Sequence, residues 1–265
     1  MGWLRRFLST FRRTRPPLLH IAADVGEGPV IILLHGIASS AATFRRVLPQ
    51  LDDRYRCISL DLLGFGESPA PPDATYTIEE HVASIRATID SLRLRAPFIL
   101  VGHSLGALLA ARYTAQNPGH VSRLVLASPP VYLSPSELSD PVARAQVGLY
   151  LRAYEFLRAN RDFTMATASA LSRLMRLGSV LEVTDRNWNA FILSLKNCIE
   201  SQTTVSDISR VSVPIDVVYG TLDQFIAPGT LRIIAQMRHV TMHKVDANDH
   251  LVRSRLARKL VSVIG

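Results

Sequence analysis

Cysteine is scarce in this sequence. Only Cys57 and Cys198 occur among 265 residues, far apart and without the paired spacing of a metal-binding set. Neither a disulfide framework nor a zinc site is expected, and the two are read as reduced structural thiols. Long apolar runs are lacking too: none approaches the roughly 20 residues needed to cross a bilayer, so no membrane-spanning helix is expected. There is no internal repeat and no low-complexity tract, no P-loop lysine and no metal-ligand cluster. Gly64-x-Gly66 lacks the third glycine of a dinucleotide fingerprint. No cofactor and no metal are expected.

Acid is missing from the N-terminal segment, where the first carboxylate is Asp24. Arg5, Arg6, Arg12, Arg13 and Arg15 stand there instead, and without them the net charge falls from +8 to +3. A second basic cluster, Arg253, Arg255, Arg258 and Lys259, lies near the C-terminus. The charge belongs to the ends. No basic stripe interleaved with aromatics runs through the body, so a nucleic-acid partner is not expected.

Residues 1–17 read as a basic amphipathic arm. On a helical wheel Trp3, Leu4, Phe7, Leu8 and Phe11 fall within an arc of about 140°, with Arg5, Arg6, Arg12 and Arg13 opposite. Pro16-Pro17 stops any helix. Residues 1–13 suit peripheral contact with an anionic membrane surface. The same composition fits an organellar transit segment, and an arm that packs on its own domain or frays is a third reading. The continuous apolar core of a secretory signal is absent. An intracellular, cytoplasmic protein is expected, membrane-associated if the arm is an anchor.

From Leu18 onward strand-like and helix-like segments alternate. Val30–Leu34, Cys57–Leu60, Pro97–Val101, Leu124–Ala127, Ile215–Tyr219 and Val240–Val245 are short, largely apolar runs. Between them Ala41–Leu51, Ile78–Leu92, Leu105–Asn117, Thr230–Met237 and Leu251–Val263 carry helical spacing. This pattern predicts an α/β fold: a mostly parallel central sheet with helices on both faces. More than eighty residues separate Ala127 from Ile215, with helix-like stretches at Tyr150–Leu157, Ala166–Leu177 and Trp188–Ile199. A connection this long is not a loop. It is read as a helical cap over residues 131–211, inserted between core segments 18–130 and 212–265.

The stretch Phe98-Ile-Leu-Val-Gly-His-Ser-Leu-Gly-Ala107 sets one hydroxyl where an apolar run ends and a helix begins. In Gly102-x-Ser104-x-Gly106 the turn is so tight that side chains two residues either side of the serine would clash. Its hydroxyl is then aimed above the sheet, and the following helix offers the Leu105 N–H to a developing oxyanion. Such a serine needs a base, and the base an orienting carboxylate.

Over essentially the whole chain after Leu18 the sequence resembles the α/β-hydrolases. Four motifs carry the likeness: His35-Gly36 after a strand, Asp61-Leu-Leu-Gly-Phe-Gly-Glu-Ser68 after the next, the Ser104 elbow, and Gly220-Thr-Leu-Asp223 after a late strand. The resemblance implies a triad in the order Ser104, Asp223, His250. His250 lies in the loop after the last strand, although Asp249 stands where the family usually has glycine. His239 and His243 flank or lie within that strand. Asp246 and Asp249 are read as shaping the loop. The second oxyanion donor would be the N–H of Ile37, ahead of Ala38. Asp61 and Gly64-Phe65-Gly66 are read as structural.

The implied reaction is hydrolysis of a carboxylic ester or lactone through an acyl-enzyme. His35, Ala38, His103, Trp188 and Phe191 are candidate pocket residues for a small-molecule, apolar substrate, with Phe156, Phe163 and Met165 available in the cap. Carbon–carbon hydrolysis of ring-cleavage products is the alternative on the same fold. There Arg186-Asn187-Trp188 would hold a carboxylate, but Leu251 replaces the aromatic residue those enzymes commonly carry after the histidine. Ser104 argues against dehalogenase and epoxide-hydrolase chemistry, which uses an aspartate nucleophile. A non-catalytic, ligand-binding or membrane-docked protein on this fold is the reading from another class.

Overall fold

The central apolar runs become strands because both of their faces are covered; Val240–Val245 forms a partly exposed edge. In the computed structural model, which describes residues 15–133, 140–174, 182–226 and 228–265, the strands are β1 (Ile21–Val25), β2 (Val30–Leu34) and β3 (Arg56–Leu60). Helix α1 (Ile78–Ser91) then leads to β4 (Phe98–His103), α2 (Leu105–Gln116) and β5 (Val121–Ala127). Next come α3 (Pro141–Ala159), α4 (Arg161–Leu174), α5 (Trp188–Ser194) and α6 (Thr204–Arg210). The chain closes with β6 (Ile215–Gly220), α7 (Pro228–Ala235), β7 (Val240–Val245) and α8 (Ser254–Ile264).

The strands form one seven-stranded sheet in the order β1-β3-β2-β4-β5-β6-β7. Every pair is parallel except β1 with β3. Residues alternate between two cores with the strand period of two. Ile32, Leu34, Leu100, Leu124, Leu126 and Val217 pack under α1 and α2. Ile31, Leu33, Val101, Val125 and Val218 face α8, whose Leu256, Leu260, Val263 and Ile264 close the other side. Each such side chain contributes about 1.5–3 kcal/mol by leaving water.

Two expectations are corrected. Strand β1 was not anticipated, because most of its side chains face solvent and leave no apolar run. The Ala41–Leu51 stretch is not one helix but two 3₁₀ turns, Ala41–Phe44 and Leu48–Gln50. Pro49 has no N–H and its ring would strike the carbonyl one turn earlier, so the helical spacing cannot become a continuous helix.

The order of the sheet positions the site. After β3 the chain returns to place β4 on the far side of β2, so the loops following β2 and β4 leave adjacent strands in opposite directions. Open α/β sheets bind ligands at such a switch point, beyond the carboxyl ends of the strands. His35-Gly36 follows β2 and Ser104 follows β4. The helices between β5 and β6 meet the core nearby: His81 Nε2 lies 2.9 Å from Ser194 Oγ, and the Cys198 thiol donates to the Tyr76 carbonyl at 3.2 Å. The Glu182 N–H donates to the Ala38 carbonyl at 2.7 Å. Residues 1–13 of the arm, and residues 175–177 of the anticipated Ala166–Leu177 helix, lie outside the described residues.

Candidate active site

Ser104 occupies a backbone conformation that L-residues avoid, with φ +53° and ψ −121°. The two glycines permit it. A Cβ on Gly102 would sit 2.3 Å from the Gly106 carbonyl oxygen, and one on Gly106 would sit 2.2 Å from the carbonyl oxygen of Leu34. The helix α2 therefore starts hard against the end of β2, and the serine hydroxyl projects from its N-terminus. Strain of this kind costs of order 1–3 kcal/mol and persists only when the surroundings enforce it.

The hydroxyl meets His250 directly. Ser104 Oγ is 2.9 Å from His250 Nε2. The other ring nitrogen, Nδ1, lies 2.9 Å from both carboxylate oxygens of Asp223. An ionised carboxylate only accepts, so the proton sits on Nδ1 and Nε2 is left to accept from the serine. Asp223 is brought there by the turn after β6, whose N–H groups bond across to the next loop: Thr221 to the Val245 carbonyl at 3.0 Å and Leu222 to the Asn248 carbonyl at 3.0 Å. Side chains 146 and 27 residues apart thus form one relay.

His35 does different work from the pocket lining anticipated for it. It is fully buried, and its Nε2 accepts from the Leu62 N–H at 2.9 Å. The remaining proton on Nδ1 is donated to the Gly36 carbonyl at 2.7 Å. Burial holds this imidazole neutral, its pKa lowered to about 4. The bond fixes the plane of the Gly36–Ile37 peptide, and a trans peptide points its N–H away from its carbonyl. His35 thereby orients the Ile37 N–H. Leu105 is the first residue of α2, so its N–H has no acceptor within the helix. A free amide of this kind at a helix N-terminus suits a developing negative charge.

His103 is likewise nearly buried, at 5% exposure, and its Nε2 donates to the carbonyl of His250 at 2.9 Å. Ala38 is 1% exposed and enters through its carbonyl rather than its side chain. Trp188 and Phe191 pack on each other with centroids 5.9 Å apart, mostly buried in the insertion. Asp61 is structural, accepting from the N–H groups of Ala41 at 2.8 Å and Glu67 at 3.0 Å. Asp249 shapes the histidine loop through the Leu251 N–H, at 3.1 Å. His243 belongs to a different pair, its Nε2 2.6 Å from Asp216 on β6, and His239 Nε2 donates to the Ile208 carbonyl at 3.0 Å.

Residues 29–252 match the family described as the alpha/beta hydrolase fold. The chain belongs to this family. Among solved structures the α/β-hydrolase resembles an esterase from Exiguobacterium antarcticum, with TM-score 0.76, 20% identity, and 93% and 95% of the two chains covered. An enol-lactonase from Burkholderia xenovorans superposes with TM-score 0.69 at 22% identity, covering 93% and 94%. At these identities the likeness is one of fold. In sequence, 111 residues are 40% identical to the probable lysophospholipase BODYGUARD 1 of Arabidopsis thaliana, covering 40% of this chain and 24% of that protein. A 127-residue stretch is 34% identical to a 1-acylglycerol-3-phosphate O-acyltransferase of the same plant, covering 46% and 30%. The chain spans about a quarter of the length of the first of these relatives and somewhat more of the second.

Within this hydrolase fold Arg186 is engaged with the loop after β3. Its guanidinium donates to the Ser68 carbonyl at 3.3 Å and lies 3.8 Å from Glu67, while Asn187 bonds its own loop through Glu182 and Thr184. The carboxylate-holding role considered for Arg186-Asn187-Trp188 finds no support in that placement. Among the described residues no cluster of His, Cys, Asp and Glu is arranged to hold a metal ion.

One contributor had no signal in the sequence. Phe225 donates its N–H to Asp223 Oδ1 at 3.0 Å, and its ring stands edge-on to His250 with centroids 4.8 Å apart. An aromatic residue two positions after an acid is unremarkable until the loop folds.

Proposed function

We propose that the protein is a serine hydrolase that cleaves a carboxylic ester or lactone. What carries this reading is the continuous chain Ser104 Oγ–His250–Asp223 with 2.9 Å at every link. His250 takes the Ser104 proton as Oγ attacks the carbonyl carbon, and Asp223 stabilises the imidazolium that forms. The tetrahedral oxyanion rests on the N–H groups of Leu105 and Ile37. Collapse expels the alcohol with the proton from His250. Water, deprotonated by the same ring, then frees the acid from the acyl-enzyme.

The substrate proposed is a small amphiphilic ester with an apolar acyl or alcohol group. Trp188 and Phe191 near the core, with exposed Leu149, Phe156 and Phe163 on the insertion, support an apolar substrate. So do relatives named for lysophospholipid and acylglycerol chemistry. Residues 1–13 are proposed to hold the enzyme at an anionic membrane surface.

The deciding experiment uses a fluorophosphonate probe and a panel of p-nitrophenyl esters. Stoichiometric labelling of Ser104, an acyl burst and turnover that all vanish in Ser104→Ala are expected. A protein that is neither labelled nor active would instead be a binder on a hydrolase fold.

A further inference from the structure

Two phenol hydroxyls meet the turn that carries Asp223 and a third backs one of them; all three come from the stretch between β5 and β6. Tyr132, in the segment leaving β5, donates to the Phe225 carbonyl at 2.8 Å. Its hydroxyl lies 3.1 Å from that of Tyr154 on α3. The single proton of Tyr132 is committed to Phe225, so Tyr154 is the donor of that second bond. Tyr150, four residues before Tyr154 on the same helix, donates to the Gln224 carbonyl and accepts from Gln146 Nε2 at 2.8 Å. The rings of Tyr132 and Tyr150 pack at a tilt of 35° with centroids 5.7 Å apart.

The two carbonyls held in this way belong to the residues immediately after the acid. Phe225 passes the constraint on twice: through its N–H to the Asp223 carboxylate and through its ring to the His250 imidazole. Tyr132 and Tyr154 are almost wholly buried, so their bonds are shielded from water. Burial also raises both phenols, Tyr154 to about 12, and keeps them protonated donors at ordinary pH.

We propose that Tyr132, Tyr150 and Tyr154 are positioning residues for the Asp223–His250 pair, acting through the backbone of Gln224 and Phe225. The docking of the helical insertion on the acid turn is then a condition of catalysis and more than a roof over the substrate. If α3 lifts, the Gln224 carbonyl loses its donor, Tyr132 loses the Tyr154 hydroxyl that holds it, and the carboxylate loses its fixed aim. This inference rests on the serine-hydrolase reading.

Removal of single hydroxyls tests it, with the rate of Ser104 phosphonylation and the steady-state constants as readouts. Tyr132→Phe should lower both the labelling rate and kcat by roughly tenfold while KM for a small soluble ester stays within about twofold, because the defect lies in alignment rather than binding. The decisive comparison repeats Tyr132→Phe in an Asp223→Asn background. If the hydroxyl acts through the acid, it should cost almost nothing further there. The same fold loss in both backgrounds, or no loss in either, overturns the proposal. Should Tyr132→Phe fail to fold, Tyr150→Phe, at the more open end of the cluster, decides by the same cycle. Loss of labelling in Ser104→Ala combined with insensitivity to all three tyrosine changes would sink this inference and leave the hydrolase reading standing.

Discussion

The carbonyl of His250 accepts a hydrogen bond from Nε2 of His103, 2.9 Å away and 147 residues earlier in the chain. The residue beside Ser104 therefore holds the backbone of the histidine that Ser104 meets. The two rings also touch, with centroids 5.2 Å apart. Nδ1 of His103 is buried without a partner among the described residues.

His103→Phe keeps the ring and deletes the donor. The His250 carbonyl is then left unpaired, which should cost about 1–3 kcal/mol of stability in urea unfolding. Loosening the histidine loop should lower kcat roughly 10–100-fold. Unchanged stability and unchanged kcat would show that the loop is held by other bonds.

Asp223→Asn should preserve the fold and cut turnover on the order of 10⁴-fold, as the serine-protease precedent for this type of triad indicates. His250→Ala should abolish turnover, whereas His243→Ala should disturb only the Asp216 pair on β6 and β7. Full activity in Asp223→Asn would transfer the orienting role to Asp246 or Asp249.

Acid should destabilise the protein well above the range in which carboxylates titrate. Burial lowers the pKa of His35 to about 4, and of His81 and His103 to about 3, against 6.5 for a free imidazole. Because the folded values are depressed, the unfolded chain takes up protons first. Stability is therefore fully present above about 6.5 and falls as pH drops toward the folded values, by up to about 1.4 kcal/mol per pH unit for each group. Asp61, also lowered in pKa, adds its loss from the ordinary carboxylate range downward. Urea midpoints between pH 7.5 and 5 should decline, and His81→Gln should make the decline shallower. A flat profile, or one indifferent to that substitution, would mean that these imidazoles find protonated forms in the fold.

Deleting residues 1–15 should leave hydrolysis of small soluble esters nearly unchanged, since all the residues of the site lie from His35 onward. Binding to anionic vesicles should fall sharply, because each basic residue near such a surface is worth about 1 kcal/mol. Salt should weaken binding of the intact protein, as exposed charges are screened beyond roughly 8–10 Å. Equal low-salt binding by both forms would reject the anchor. Failure of the shortened chain to fold would assign the arm to the domain itself.

The features legible from sequence are those whose physical cause is local. Gly102 and Gly106 announce the elbow because the clash they avoid lies within five residues and against the neighbouring strand end. The runs Val30–Leu34 and Leu124–Ala127 announce buried strands because burial on both faces demands apolar residues at every step. Even Pro49 carried the local sign that Ala41–Leu51 would break into short turns. The contacts that complete the site leave no such trace. His103 reaches the His250 carbonyl, Tyr132 reaches Phe225 across 93 residues, and Glu182 reaches Ala38, each through a backbone atom present in every residue. A carbonyl has no identity in a sequence. Which one a buried hydroxyl or imidazole meets is decided only when the sheet order and the docked insertion bring the two together.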